Sequence, residues 1–229
     1  MTSPPGNDNQ AFRLEEKKPG THQESLVGPE DRIIRYTLHV PEHYDGSRPV
    51  PLIVTLHFGG RVTPYFGRTI LTGLVEPALR ELGAIIVSPD SLNGPWSTPE
   101  NEAAVVMLFE TLCNSYNIDR DQTLLTGYSL GGHGTWVIGG KHQDLFKALV
   151  PIAGRPTDQT DWQIPIHVIH SRQDSVVPFA PAQQQVERLQ AAGVDISFKV
   201  VEDLSHYETP YYRKYLKQAV PWIRQAWKN

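Results

Sequence analysis

The chain holds a single cysteine, Cys113, among 229 residues. No disulfide can therefore close within it, and no cysteine-rich metal centre can be assembled. Long apolar runs are missing as well. None approaches the roughly 18 residues that a spanning helix needs, so no membrane partner is expected. Lysine and arginine form no cluster and the formal net charge is -4, which gives no general attraction to phosphate backbones or anionic lipid. Nucleic acid is not an expected partner, and there is no internal repeat. Residues 1–30, rich in Pro, Gly, Asn, Gln, Glu and Lys, have no apolar stretch fit to be a signal-peptide core. They read as a loose arm, and with the lone cysteine they set the expectation of a reducing, cytoplasmic location.

What the chain does have is 39% hydrophobic against 20% charged residues, enough for one sizeable core. A single α/β domain over residues 31–229 is expected. Ile33 to Val40 alternates like a half-buried strand. Pro51 to His57 and Ala84 to Val87 are apolar without alternation, as in strands covered on both faces of a parallel sheet. A helix is expected at about Thr69 to Leu82, weakened by Gly73 and Pro77. The next helix is capped by Ser97 or Thr98, has Pro99 in its first turn and runs to about Tyr116. Strands at Thr123 to Thr126, Ala148 to Ile152, Ile166 to His170 and Ile196 to Val201 alternate with helices at Leu130 to about His142, Pro181 to Ala192 and Thr209 to Trp227, the last interrupted at Pro221. Such alternation predicts a mostly parallel sheet with helices on both faces.

Gly127-Tyr128-Ser129-Leu130-Gly131 lies where one of these strands passes into a helix. This is the pattern of a nucleophile elbow, a bend so tight that side chains two residues before and after the serine would collide with their surroundings. A serine hydroxyl needs a base at neutral pH, and the base needs an acid to hold its tautomer. On such a scaffold the chain order is Ser, Asp or Glu, His. Of nine histidines, only His167, His170 and His206 lie late enough. The first two belong to a strand, whereas His206 is in the loop between the last strand and the last helix, where a base is expected. Asp174 follows the strand ending at His170 and is the candidate acid; Glu202 and Asp203 are its rivals.

A developing oxyanion needs two N–H donors. Leu130 N–H is the first candidate; Gly59, with Gly60 as alternate, is the second, in the segment Leu56-His57-Phe58-Gly59-Gly60. Phe58, Trp96 and Tyr128 are candidate substrate-lining residues, with Tyr65 and Trp162 as further aromatics near strand ends. His57 and His133 are not at metal-ligand spacing and read as supports for the oxyanion loop and the elbow. No metal site is expected.

The motifs HFGG, SPD, YNIDRDQTLLTGYSLGGHGTW, HSRQDSVVP and LSHYE, in that order over residues 32–228, resemble the α/β-hydrolase superfamily. The similarity is greatest to its small carboxylesterase, dienelactone hydrolase, and polyhydroxybutyrate depolymerase or feruloyl esterase-like branches. The resemblance implies an α/β-hydrolase fold and cleavage of carboxylic esters through an acyl-enzyme, without metal or organic cofactor. Ser129 is then the nucleophile, His206 the base and Asp174 its partner. A small-molecule ester, short-chain or aryl, is the implied substrate, because the dozen or so residues between Ile152 and Ile166 leave little or no lid. The competing functions are a serine peptidase of prolyl oligopeptidase type and a non-catalytic receptor using the same pocket. Oligomeric state is not legible in the chain.

Overall fold

In this computed structural model, residues 13–28, 31–92 and 94–228 are described. Strand β3 (Val50–Leu56) is buried at every position, and its side chains alternate between two cores. Leu52, Val54 and Leu56 enter one and Ile53 the other. That is what period-2 geometry does to a strand covered on both sides. The neighbouring strands β4 (Ile85–Pro89), β5 (Ile118–Tyr128), β6 (Ala148–Ile152), β7 (Ile166–Ser171) and β8 (Ile196–Val201) run parallel to it. With β1 (Gly20–Val27) and β2 (Ile33–Val40) they form an eight-stranded sheet ordered β1-β2-β4-β3-β5-β6-β7-β8, in which only β1 and β2 are antiparallel to their neighbours.

One face is covered by α3 (Pro99–Ser115), α4 (Leu130–Lys141) and α5 (Phe179–Ala191). These deliver Val105, Leu108, Phe109, Leu112, Trp136, Val186 and Leu189 to the first core. The other face is covered by the segment 68–82 and the C-terminal helices α6 (Arg213–Gln218) and α7 (Val220–Ala226). Each Leu or Ile buried this way contributes about 1.5–3 kcal/mol. Thr98 caps α3 by accepting from the Asn101 N–H, and Pro99 occupies its first turn, as expected.

Segment 68–82 is not one helix. It runs as α1 (Arg68–Ile70), a π-helical turn at Leu71–Val75, α2 (Glu76–Leu79) and a 3₁₀ turn at Arg80–Leu82. Pro77 has no N–H for the carbonyl four residues back, that of Gly73. The Arg213 guanidinium supplies the missing donor at 2.7 Å, which ties the segment to α6.

The expectation of a loose arm needs correction. Residues 1–12 and 29–30 lie outside the described residues, but Gly20–Val27 pairs along its whole length with β2. Upstream of it, Leu14 N–H donates to Ser115 Oγ and Lys17 N–H to the Tyr116 hydroxyl. The domain therefore begins before residue 31. An edge strand is held mainly by its main-chain ladder, so a polar composition does not exclude it.

Candidate active site

The C-terminal ends of β3 to β8 converge on one edge of the sheet, with Ser129 between β5 and α4. Its backbone has φ 56° and ψ −114°, a region that residues with a Cβ rarely occupy. Ser129 N–H donates to Ile152 O at 2.9 Å, and Ser129 O accepts from His133 N–H at 2.9 Å. The flanking glycines are steric requirements. A Cβ on Gly131 would overlap the Leu56 carbonyl, and one on Gly127 would overlap the Gly131 main chain.

Ser129 Oγ lies 2.7 Å from His206 Nε2, and His206 Nδ1 lies 2.7 Å from Asp174 Oδ2. Asp174 Oδ2 is acceptor-only when ionised, so Nδ1 carries the proton and Nε2 is free to accept from the serine. Asp174 Oδ1 accepts from the N–H groups of Val176 and Val177 at 3.0 and 2.8 Å. Burial works to raise the Asp174 pKa. The hydrogen bond from His206 and those from the Val177 and Val176 main chain outweigh it, leaving the carboxyl below the ordinary aspartate value. The acid loop and the base loop are also joined directly, by Ser171 Oγ donating to Leu204 O at 2.6 Å.

The rivals for these roles lie elsewhere. Glu202 pairs with Arg172, while Asp203 accepts from the Tyr215 hydroxyl and faces Lys214. His167 bonds Ser197 Oγ and packs on Trp222. His170, read as a packed strand residue, is fully buried but lies 3.6 Å from Asp174.

Two of the expected substrate-lining residues are corrected. Tyr128 is 1% exposed, and its hydroxyl donates to His206 O at 2.6 Å; it supports the base loop from below. Trp96 is also 1% exposed, with Nε1 donating to His57 O at 2.9 Å. Strand-end position marked both as near the site, but only the structure shows that their polar tips are spent on main-chain carbonyls. Phe58 is half-buried and packs edge-on against Phe66.

A cleft of about 610 Å³ opens beside Ser129 on the β3 side. Gly59, Gly60 and Leu130 line it on the elbow side, with Ile33, Val62 and Leu92 as apolar and Arg35, Asp90 and Ser91 as polar lining. Gly59 lies against Leu130, for a Cβ on it would come 3.6 Å from that side chain. His57 holds the Gly59 loop. Its Nε2 accepts from Ser91 N–H at 3.0 Å, so Nδ1 carries the proton and donates to Phe58 O at 2.7 Å. Burial lowers the His57 pKa and favours this neutral ring. Two buried anchors escaped the sequence reading. Asp90 accepts from the N–H groups of Tyr65 and Gly67, and Asn101 Oδ1 accepts from Leu92 N–H. The SPD motif was the only signal for the first. The Arg35 side chain is exposed at the cleft; burial raises the Asp90 pKa, and the Arg35 charge is one of the influences that lower it.

Comparison with known proteins agrees with this architecture. The chain is 25% identical over 168 residues to a probable feruloyl esterase C of Aspergillus niger, an alignment spanning 67% of this chain and 59% of that protein. It spans about half the length of the curated relatives that it matches. A thermostable esterase superposes with a TM-score of 0.76 at 24% identity, over 90% of this chain and 62% of the other. A fluorophosphonate-binding serine hydrolase of Staphylococcus aureus does so with a TM-score of 0.73 at 13% identity, over 90% and 99%. These similarities identify the fold as that of the α/β-hydrolases. The profile of the dienelactone hydrolase family matches residues 94–224, which is more than half of the chain and includes Ser129, Asp174 and His206; the chain belongs to that family.

Proposed function

We propose that this chain hydrolyses carboxylic esters through a covalent acyl-enzyme. The observation that carries the reading is the unbroken hydrogen-bonded line from Ser129 Oγ through the His206 ring to Asp174, with 2.7 Å at both junctions. Ser129 Oγ attacks the ester carbonyl carbon as its proton passes to His206 Nε2. Asp174 keeps Nδ1–H in place and stabilises the imidazolium. The negative charge that develops on the carbonyl oxygen is met by the N–H groups of Leu130 and Gly59. Leu130 is the first residue of α4, so its N–H has no intrahelical partner. Collapse of the tetrahedral intermediate breaks the ester C–O bond, and His206 returns its proton to the leaving alcohol. Water, deprotonated by the same nitrogen, then cleaves the acyl-serine and releases the acid.

The leaving alcohol must stay within reach of His206 Nε2. The 610 Å³ cleft begins at Gly59 and Leu130 and extends toward β2 and β4, away from the base, so the acyl group belongs there. Its size suits short-chain or aryl acyl groups, with Ile33, Val62 and Leu92 offering apolar contact among polar neighbours. Hydroxycinnamoyl esters are the first to try, given the feruloyl esterase names of the relatives. On the alcohol side stands Tyr207, 81% exposed, with its ring 5.8 Å from that of His206.

The test is a panel of p-nitrophenyl and methyl esters varying in acyl group, with the labelled residue identified by mass spectrometry after a fluorophosphonate probe. Ester turnover with the probe on Ser129 is expected. Undiminished turnover in Ser129→Ala would refute the reading.

A further inference from the structure

His170 ends the apolar part of β7, directly beneath the loop that carries Asp174. The ring is fully buried, and its Nε2 lies 2.9 Å from Val177 O. A carbonyl only accepts, so Nε2 bears the proton and Nδ1 is a bare lone pair. No described residue donates to Nδ1. Leu or Phe would fill this position without burying an unpaired nitrogen, so what sets His170 apart is the bond that Nε2 makes.

That bond joins the start of the acid loop to its end. Val177, whose carbonyl His170 holds, gives its own N–H to Asp174 Oδ1 at 2.8 Å, and Nε2 itself comes within 3.6 Å of Asp174 Oδ2. Asp174 N–H closes the near side by donating to Ser171 O at 3.3 Å. The ring is bounded by the Asp174 carboxylate, by His206 from the base loop and by Phe179 from α5, 6.1 Å away. The Tyr128 and Tyr212 hydroxyls complete the charged and titratable surroundings of the carboxylate. Burial lowers the His170 pKa and keeps the ring neutral, as a single-donor strut requires.

We propose that His170 is a positioning residue that latches the two ends of the 171–178 loop and so fixes the Asp174 carboxylate for His206. This rests on ester hydrolysis by Ser129, His206 and Asp174. Loosening the latch displaces the carboxylate without touching the cleft, so the loss falls on kcat and not on KM.

The experiment compares His170→Gln, His170→Asn and His170→Ala on one p-nitrophenyl ester, with melting temperature as the check on folding. The Gln amide nitrogen reaches where Nε2 was, whereas the Asn nitrogen reaches only the Nδ1 position. Asn and Ala are expected to lower kcat roughly 10- to 100-fold with KM within about twofold, the scale of a small misplacement of a catalytic group. They should also broaden or abolish the downfield proton resonance of the His206–Asp174 hydrogen bond. Gln should keep the resonance and stay within about threefold of the parent, by the same scale. Folded Asn or Ala variants with parental kcat and an unchanged resonance would overturn the proposal, as would a Gln variant no better than Asn. If the Ala variant does not fold, the Gln and Asn pair decides. Activity surviving in Ser129→Ala would instead remove the esterase reading on which the latch depends.

Discussion

The two sides of Ser129 are built differently. On the side of β6 to β8, Asp174, His206, Ser171 and Tyr128 are joined by short hydrogen bonds, and the histidine and the acid are each only 6% exposed. On the side of β2 to β4, the same depth of structure ends in an open cleft, with Ile33 and Val62 left 51% and 39% exposed. The first side has one geometry available to it because the Ser129 hydroxyl, both His206 ring nitrogens and both Asp174 oxygens are committed to partners. The second offers volume and a few unassigned groups. Chemistry is fixed on one flank, and selectivity is left open on the other.

The largest expected effect attacks the fixed flank. Ser129→Ala and His206→Ala should each lower kcat by about 10⁴- to 10⁶-fold, and the double variant by hardly more, because the groups act as a unit. Initial rates on a p-nitrophenyl ester measure this; multiplicative losses would break the comparison by showing independent sites. The cleft flank contributes to chemistry only through a main-chain donor. Gly59→Pro removes that N–H and should lower kcat by about 10²- to 10³-fold. Gly59→Ala, whose Cβ would meet Leu130 at an ordinary 3.6 Å, should stay within about threefold on the same scale of effects. Equal losses in both variants would show that shape, not the donor, matters there.

Smaller effects sharpen the contrast. Arg35→Gln should change kcat/KM on a neutral butyrate ester by less than about threefold. It should also remove up to about fivefold of preference for acyl groups ending in a carboxylate, about 1 kcal/mol of exposed charge pairing. A ratio of the two substrates that does not move would take Arg35 out of the site. Smallest is a test that belongs to the fold alone. Burial, with Lys199 adding to it, pushes the His167 pKa down to about 4. The unfolded chain therefore binds a proton that the folded chain refuses as pH falls from about 6.5 to about 4, and stability drops over that window. For this partly exposed ring the contribution is on the order of 1–2 kcal/mol. His167→Gln should lose less melting temperature than the parent between pH 7 and pH 4, with no change in ester kinetics at pH 7.

The fixed flank was the more legible in the sequence, for the same physical reason. A glycine-flanked serine at a strand end and an aspartate and a histidine each just beyond later strands are local patterns with steric and topological causes. Each expected parallel strand is present within a few residues. What escaped is what local pattern does not encode. β1 is polar because an edge needs only its ladder, and residues 68–82 keep a helical path through Pro77 because Arg213, far along the chain, reaches the Gly73 carbonyl. Tyr128 and Trp96 have side chains suited to a pocket, but their hydroxyl and indole N–H are directed at His206 O and His57 O, a fact that composition does not carry. Asp90 and Asn101 shape the cleft by accepting main-chain N–H groups, which any turn-forming Asp or Asn could do.

The backbone of Ser129, at φ 56° and ψ −114°, sets thermal robustness against turnover. Glycine occupies that conformation without steric penalty, so Ser129→Gly should melt at a higher temperature than the active protein while hydrolysing nothing, by about 1–3 kcal/mol of relieved torsion. Heat tolerance in this scaffold is then best sought far from the elbow, since relaxation at that bend would make the protein sturdier and inert together.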